Sequence, residues 1–584
     1  MFSKCLPTSG PGNTLLINSS HIPEKLLANP WDKGGSPVWI HLIGVCGSGL
    51  RSLAEYLLAR GFYVTGTDEQ LPTAGLSELL PRGLAYTRQK HLPRAAIHSP
   101  EAATLEPGVS FPEWVRLTSH PENRLRQSIE TIPDLIIHSA AIPSADPGLQ
   151  AAQQAGIPAI PYHIALAHLI NASRGLCIAG THGKSTTTAM AAWMLSSSIA
   201  PETTDSKARS NHPWRASFIM GGELIAPLSL SMPDEAKATW HRSGSFVEGD
   251  WLIAEACEYR QHFLAYEPEL AAILSCEPDH FDCFASEAEL VEAFSKFAAR
   301  VKPGGRLVTA ADSPLALQAA ENARAQVETF GLSMGNAKYP HWQARQIQLL
   351  GAKSRFELFY CGQHRASVQL QIPGRHNILN ALAALAVTEQ TGCPLPHRIQ
   401  ALASFQGIRR RFEWKGLWRG IHLIDDYAHH PTAVIETLRT ARQIFGSRRI
   451  ALAFEPHQVS RLQALLPEFA QSLALADQVL MAPVFAARES NSALQHSLIQ
   501  ELAQRVRSAG IPAEVCGTLD HLRSSVEHKA GTIDVLITAG AGHIDRIHYE
   551  LSRRIPRHSQ TRRATGSLHL DETGWPGAVL SRTA

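Results

Sequence analysis

The chain has 584 residues, 44% hydrophobic and 18% charged, with a formal net charge of +2. That length suggests about three or four domains, each able to bury a core, and the near-neutral balance argues against a nucleic-acid surface or a polyanionic tail. No apolar run approaches the ~20 residues that span a bilayer, residues 1–20 lack an apolar core of signal-peptide type, and the nine cysteines include no Cys-x-x-Cys pair, so a cytoplasmic protein without disulfides, zinc or membrane insertion is expected.

Residues 1–37 are polar and rich in Pro, Gly and Ser, and are expected to form a flexible arm. The first domain, over 38–172, opens with a buried strand at Val38–Ile43, followed by the turn Gly44-Val-Cys-Gly-Ser-Gly49, a helix at Leu50–Arg60 and a strand at Phe62–Gly66. Asp68 falls about 20 positions after the glycines, as in dinucleotide-binding βαβ units. Because Cys46 occupies a fingerprint glycine position, the turn alone leaves a nicotinamide site as an alternative. Residues 88–130 lack periodicity and read as an insertion or long loop. A strand at Asp134–His138 then leads to Ser139-Ala-Ala-Ile-Pro143, which is equally a ligand contact at a strand end or a tight turn. A helix near Tyr162–Ile170 closes the domain.

The second domain, over 173–372, contains the most informative segment, Gly175-Leu-Cys-Ile-Ala-Gly-Thr-His-Gly-Lys-Ser-Thr-Thr-Thr188. An apolar strand runs into a glycine turn, a lysine and a hydroxyl run that opens a helix. This is a phosphate cradle, in which N–H groups and the helix dipole face the anion. Lys184 would reach the outer phosphates and Ser185 would ligate Mg²⁺. Strands follow at Trp251–Ala254, Leu270–Ser275 and Arg306–Thr309, with a helix at Glu287–Arg300. The polar stretches 201–215 and 227–246 read as surface loops. Glu255 and Asp279-His280 follow strands, and strand ends converge on the ligand crevice of an α/β sheet. Ser185, Glu255 and His280 together would suit a divalent metal, although alone Glu255 is equally an exposed strand-end charge and His280 a helix cap or core histidine.

The third domain, over 373–555, begins with a helix at His376–Gln390, whose His376 and Asn380 share a face. Arg409-Arg-Arg-Phe412 is either a clamp for a phosphoryl group or a solvated loop. Strands at Ile421–Asp425, Arg449–Phe454, Gln478–Met481 and Ile533–Thr538 alternate with helices, as in a doubly wound parallel sheet. Asp425-Asp-Tyr-Ala-His-His-Pro431 and Glu455-Pro-His-Gln-Val-Ser-Arg461 follow two of these strands, and His457 with Arg461 could hold a carboxylate. Residues 556–584 read as a disordered tail.

In this order, over about residues 38–550, these blocks resemble the Mur ligases. The resemblance implies a three-domain α/β architecture with a Rossmann-like first domain, a central P-loop ATPase-type domain and a Rossmann-like third domain. It implies ATP, Mg²⁺ and an acyl-phosphate route joining L-alanine to the carboxylate of UDP-N-acetylmuramate, by a monomer or homodimer. By matched position, Gly180, Thr181, His182, Gly183, Lys184, Ser185, Thr186, His376, Asn380, Asp426 and Tyr427 would bind ATP. Lys184, His182 and Arg411 would be catalytic, and Ser185, Glu255 and His280 would hold the metal. Gly44, Gly47, Ser48, Gly49, Asp68, Ser139 and Ala140 would bind the UDP-sugar. His429, His457 and Arg461 would serve the amino acid. The chain departs from the family pattern at Cys46, Cys257, Tyr259-Arg260, Cys276, Arg409 and Gln458, the last replacing an arginine. Glycine or serine as substrate, or a recycled tripeptide, are the alternatives.

Overall fold

The computed structural model describes residues 24–30, 35, 37–69, 74–77, 79–87, 133–196, 212–225, 243–332, 340–486 and 492–553. The expected insertion at 88–130 and tail at 556–584 lie outside these residues, as does most of the 1–37 arm. The chain divides into two compact units: residues 1–169 without 51–56, and 51–56 together with 170–584.

The first unit is built on a five-stranded sheet of β1 (Trp39–Ile43), β2 (Tyr63–Thr67), β3 (Ala85–Thr87), β4 (Leu135–His138) and β5 (Ala159–Pro161), in the order β3-β2-β1-β4-β5. All its pairings are parallel. Every residue of β1 is buried, which is why it reads as a continuous apolar run rather than an alternating one. The helix Ser48–Arg60 follows, and it stops at Gly61, whose left-handed backbone lets its N–H reach the carbonyls of Leu57 and Leu58. The described end of the expected flexible arm is ordered instead. Glu24–Ala28 is helical, and the Arg60 guanidinium donates to the carbonyls of Leu27 and Ala28 at 2.8 Å each.

The second unit carries two sheets. The larger has ten strands: β6 (Arg174–Ala179), β7 (Ala216–Ile219), β8 (Gly244–Ser245), β9 (Trp251–Glu255), β10 (Leu270–Ile273), β11 (Arg306–Ala310), β12 (Gln326–Gly331), β13 (Trp342–Leu350), β14 (Lys353–Tyr360) and β15 (Gln363–Leu370). Their order is β15-β14-β13-β12-β11-β10-β6-β9-β7-β8. The phosphate-loop strand β6 therefore lies between β10 and β9, parallel to both. β13 to β15 form an antiparallel meander. The stretch 227–246, expected to be a surface loop, ends instead in the edge strand β8, with Ser243, Gly244 and Ser245 buried and the last two paired to β7.

The expected border at residue 373 is also displaced. The helix Arg375–Val387 packs in the core of the ten-stranded sheet, with Ile378, Leu382 and Leu385 fully buried; complete burial of each such side chain contributes about 1.5–3 kcal/mol. The helix is apolar almost all round, the signature of one buried between layers. The helix Leu395–Ser404 is tied to the phosphate-loop helix Lys184–Ser196, because the Trp193 indole donates to the Ala401 carbonyl at 2.9 Å. The third sheet begins only at β16 (Glu413–Trp418). It continues with β17 (Ile421–Asp426), β18 (Ile450–Phe454), β19 (Gln478–Met481), β20 (Ala513–Val515) and β21 (Val535–Ala539), in the order β16-β17-β21-β18-β19-β20. Only the β16–β17 pair is antiparallel.

Candidate active site

The phosphate loop leaves β6 and is shaped by two glycines. Gly180 has φ +132°, and a Cβ there would lie 2.9 Å from the backbone nitrogens of Leu274 and Ser275. Gly183 has φ +79°, and a Cβ there would lie 2.3 Å from Oδ1 of Asn380. Asn380 thus stands directly over the loop; its Oδ1 also accepts from the Thr187 hydroxyl at 3.3 Å, and its amide donates to Asn377. The Thr181 and His182 N–H groups donate to the Ser275 carbonyl at 3.1 Å and the Ser275 hydroxyl at 3.0 Å. The cradle is therefore narrower than the sequence suggests, leaving the N–H groups from Gly183 onward at the helix N-terminus.

Lys184 Nζ donates to the Gly180 and Thr181 carbonyls at 2.5 and 3.2 Å. It also lies 3.0 and 3.1 Å from the two carboxylate oxygens of Glu258, which is 1% exposed. Burial works against the ammonium, but the neighbouring Glu258, Cys257 and Glu255 outweigh it and hold the Lys184 pKa above its ordinary value. Glu258 stands three residues beyond Glu255 and had no role in the sequence reading; its partners come from remote segments.

The expected metal set is partly assembled. Glu255 accepts from the Ser185 hydroxyl at 3.2 Å and from the Gly221 N–H at 2.8 Å. His280 faces Glu258 instead, at 3.7 Å, and its Nδ1 is buried without a hydrogen-bond partner. Burial raises the Glu255 pKa despite Gly221, Lys184, Ser185 and Arg411, so a further cation would relieve this carboxylate. Hydroxyl and carboxylate oxygens are donors of the type Mg²⁺ takes, so Ser185 and Glu255 fit the ion, and His280 would have to turn from Glu258 to join them.

After β10, three consecutive residues reach the third sheet's lobe. Glu277 accepts from the Thr432 hydroxyl at 2.8 Å, the Pro278 carbonyl faces His430 Nε2 at 3.3 Å, and Asp279 accepts from Arg461 Nε at 2.7 Å. The same segment grips the phosphate loop: Glu277 contacts His182 Nε2 at 3.2 Å, and its backbone N–H and carbonyl pair with the Thr181 hydroxyl at 2.9 and 3.1 Å. Burial opposes the Glu277 carboxylate, but His182, Thr432 and His430 bring its pKa down to about 2. Burial likewise opposes Asp279, yet Arg461 and His280 hold it far below the carboxylate range. His182, Glu277 and His430 are near enough to share an ion, but His430 is already spent. Its Nδ1 accepts from the Thr432 N–H at 3.3 Å, so its proton sits on Nε2. Burial and His182 push its pKa down to about 4. A second such group, Glu514, Cys516 and His521, is neutralised by Lys529, 3.2 Å from Glu514.

On the third lobe, Arg410 and Arg411 of the basic cluster diverge. Arg410 donates to Asp425 at 3.2 Å and to the carbonyls of Gly542 and Gly540, which makes it a structural tie. Arg411 lies 5.1 Å over the Tyr427 ring and is close enough to Glu255 and Asp426 to favour their ionised forms. Asp426 accepts from Thr437 and from the Ala428 N–H, and His376 lies 3.8 Å from Glu436. The three expected amino-acid residues do cluster: the His429 and His457 rings are 5.7 Å apart, and Arg461 Nη1 meets His457 Nδ1 at 3.2 Å. Arg461 is not an open clamp, however; it is 2% exposed and bound to Asp279. Gln458 has a left-handed backbone, φ +68°, and its N–H donates to the Phe485 carbonyl at 3.0 Å.

Within the first unit, the expected UDP-sugar residues gather at the C-terminal ends of β1, β2 and β4. Gly44, with φ +87°, lets the turn pass Ser139, whose Cβ would lie 3.1 Å from any Cβ at Gly44. Asp68 accepts from the Cys46 N–H at 2.9 Å, and the Ser139 hydroxyl from the Ala141 N–H at 3.2 Å. Gly47, Ser48, Gly49 and Ala140 lie in the same two turns. The eight described cysteines are all free.

This arrangement of a phosphate loop beside a second α/β lobe that carries imidazoles and arginines is that of a nucleotide-driven ligase. Residues 178–388 match the Mur ligase middle domain, and residues 410–542 match the Mur ligase, glutamate ligase domain. The chain is 32% identical over 518 residues to the UDP-N-acetylmuramate–L-alanine ligase of Desulfitobacterium hafniense, with 88% of this chain and 99% of that protein covered. It is 34% identical over 520 residues to the ligase of the same name from Kineococcus radiotolerans, covering 88% and 95%. In fold it is similar to UDP-N-acetylmuramate-alanine ligase from Thermotoga maritima (TM-score 0.64, 22% identity, 90% of this chain and 99% of that one). It is also similar to a murein peptide ligase from Psychrobacter arcticus, with TM-score 0.61 and 22% identity over 89% and 99%. The chain belongs to the Mur ligase family.

Proposed function

We propose that this protein joins the amino group of L-alanine to the carboxylate of UDP-N-acetylmuramate, driven by ATP, in peptidoglycan precursor synthesis. One observation supports this most strongly: the segment Glu277-Pro278-Asp279 is bonded to the phosphate loop on one side and to the cluster of His430 and Arg461 on the other. In this reading, nucleotide chemistry and amino-acid binding meet at two faces of one turn. The curated relatives named above carry the same activity in their names.

In this reading the sugar-linked carboxylate attacks the terminal phosphorus of ATP, ADP departs, and an acyl phosphate forms. The amine then attacks the acyl carbon, and phosphate leaves as the amide closes. A free carboxylate is a poor acyl donor, so the first step supplies the leaving group. Lys184 and Arg411 stabilise the charge on the transferring group. His182 is held by Glu277 at the loop, and Asn380, His376, Asp426 and Tyr427 border the nucleotide. Ser185, Glu255 and His280 would hold Mg²⁺, which when bound polarises phosphate oxygens. His429, His457 and Arg461 orient the amino acid. Residues 44–49, Asp68, Ser139 and Ala140 bind the UDP-sugar. Use of ATP and a UDP-linked precursor supports a cytoplasmic setting for the reaction.

Gln458, in the place of a second arginine, favours testing the smallest amino acids as well. Purified protein with ATP, Mg²⁺ and UDP-N-acetylmuramate should release ADP with L-alanine above glycine, L-serine and L-alanyl tripeptide. Release with the tripeptide and not with free L-alanine would replace this reading with the recycling reaction.

A further inference from the structure

We propose that Asp279 is a positioning residue that couples the two halves of the ligation, by holding Arg461 of the amino-acid pocket and His280 beside the phosphate loop on one carboxylate oxygen. The proposal rests on the ligase function above.

Oδ1 of Asp279 accepts from Arg461 Nε at 2.7 Å and from the His280 backbone N–H at 2.7 Å. Both donors need such an anchor. His280 has φ +53°, a left-handed conformation that a side-chain-bearing residue holds only when its surroundings impose it. Arg461 lies 182 residues away in sequence, on the other lobe, and a free arginine side chain would sample many rotamers. Burial strengthens the arrangement, with the Asp279 and Arg461 side chains 7% and 2% exposed.

The geometry also dictates what Arg461 can offer a substrate. Nε is committed to Asp279, and Nη1 to Nδ1 and the carbonyl of His457, both at 3.2 Å. Nη2 remains as the terminal donor. The amino-acid carboxylate therefore meets an aimed single donor rather than a two-pronged fork, and the aim is set from the nucleotide lobe. Because Glu277 and Pro278 bond the same lobe alongside, seating that lobe and aiming Arg461 are one event.

Two substitutions separate the roles. Asp279→Asn is isosteric and keeps an oxygen for the His280 N–H, but loses the charge that holds Arg461. Asp279→Ala loses both. The full-length protein is assayed for the KM of L-alanine and of ATP, for thermal melting, and for the acyl phosphate trapped by borohydride when no amino acid is added. D279N should raise the L-alanine KM by about tenfold, the difference between a charge-assisted and a neutral hydrogen bond, while the ATP KM and trapping stay within about threefold. D279A should raise the L-alanine KM and also reduce trapping. An unchanged L-alanine KM in D279N overturns the proposal. So does a parallel loss of all parameters with a lowered melting temperature, which marks mere support of the fold. Should D279N fail to fold, Asp279→Glu, which keeps the charge and displaces it, decides by the same selective rise or its absence. If the wild type forms no ADP with any amino acid, the ligase function fails first, and the coupling role falls with it.

Discussion

Replacing Lys184 by Met tests the phosphate loop in two independent ways. The substitution keeps most of the side-chain volume and removes the charge. Its partner Glu258 is 1% exposed and Lys184 itself 16% exposed, so the carboxylate is left buried without the cation that compensates it. Removing one member of a buried ion pair costs about 3–5 kcal/mol. For a lobe of this size each kcal/mol lowers the melting temperature by about 2–4 °C, so K184M should melt roughly 6–20 °C below the wild type. Adding Glu258→Gln removes the stranded charge and should recover most of that loss. Neither variant should release ADP if, as proposed, the Lys184 charge meets the phosphates, because that charge is gone from both. Melting followed by far-ultraviolet circular dichroism without nucleotide, beside a coupled ADP assay, gives both readouts. A K184M protein that melts within about 2 °C of wild type, or a double variant no more stable than K184M, would refute the account of this pair.

Gly183→Ala should abolish ADP binding, measured by calorimetry, since its Cβ would lie 2.3 Å from Asn380 Oδ1 at a φ of +79°; retained affinity would contradict the loop geometry. Gln458→Arg should lower the L-alanine KM by about tenfold or more, the worth of one charge-assisted hydrogen bond, and an unaltered KM would argue against the pocket's placement. Burial pushes the His41 pKa from 6.5 down to about 4. The neutral ring's contribution is fully present above 6.5 and is lost as the pH falls toward about 4. The melting temperature should fall across that window, and less steeply in His41→Gln, whose amide cannot take up a proton; parallel curves would refute the assignment.

Much of this architecture is visible in residue patterns. The apolar runs of β1, β6, β9 and β10 are buried at nearly every position, so continuous hydrophobicity was enough to find them. The expected lobe border at residue 373 rests on a loop before Arg375 that resembles a domain start. Yet the helix behind it, Asn-Ile-Leu-Asn-Ala-Leu-Ala-Ala-Leu-Ala-Val, has no polar face for solvent, and that alone signals a helix inside a core. The β13–β15 meander is absent from the expected elements, although β13 and β14 alternate in burial around turns at Gly351 and Gly362. Local motifs named Lys184, Ser185, Glu255 and the His457–Arg461 pair. They could not name Glu258, Glu277 or Asp279 as partners, since Lys184, His182 and Arg461 lie 74, 95 and 182 residues from them. Such pairings follow from β9 and β10 flanking β6, and from the docking of the third lobe, which no local pattern encodes.

If the ligation runs through an acyl phosphate, a sugar-linked carboxylate is phosphorylated before the amine attacks. UDP-N-acetylmuramate labelled with oxygen-18 in its carboxylate, incubated with ATP, Mg²⁺, L-alanine and the protein, tests it directly. Each phosphate released should carry one labelled oxygen. Unlabelled phosphate, with ADP still formed, would contradict it.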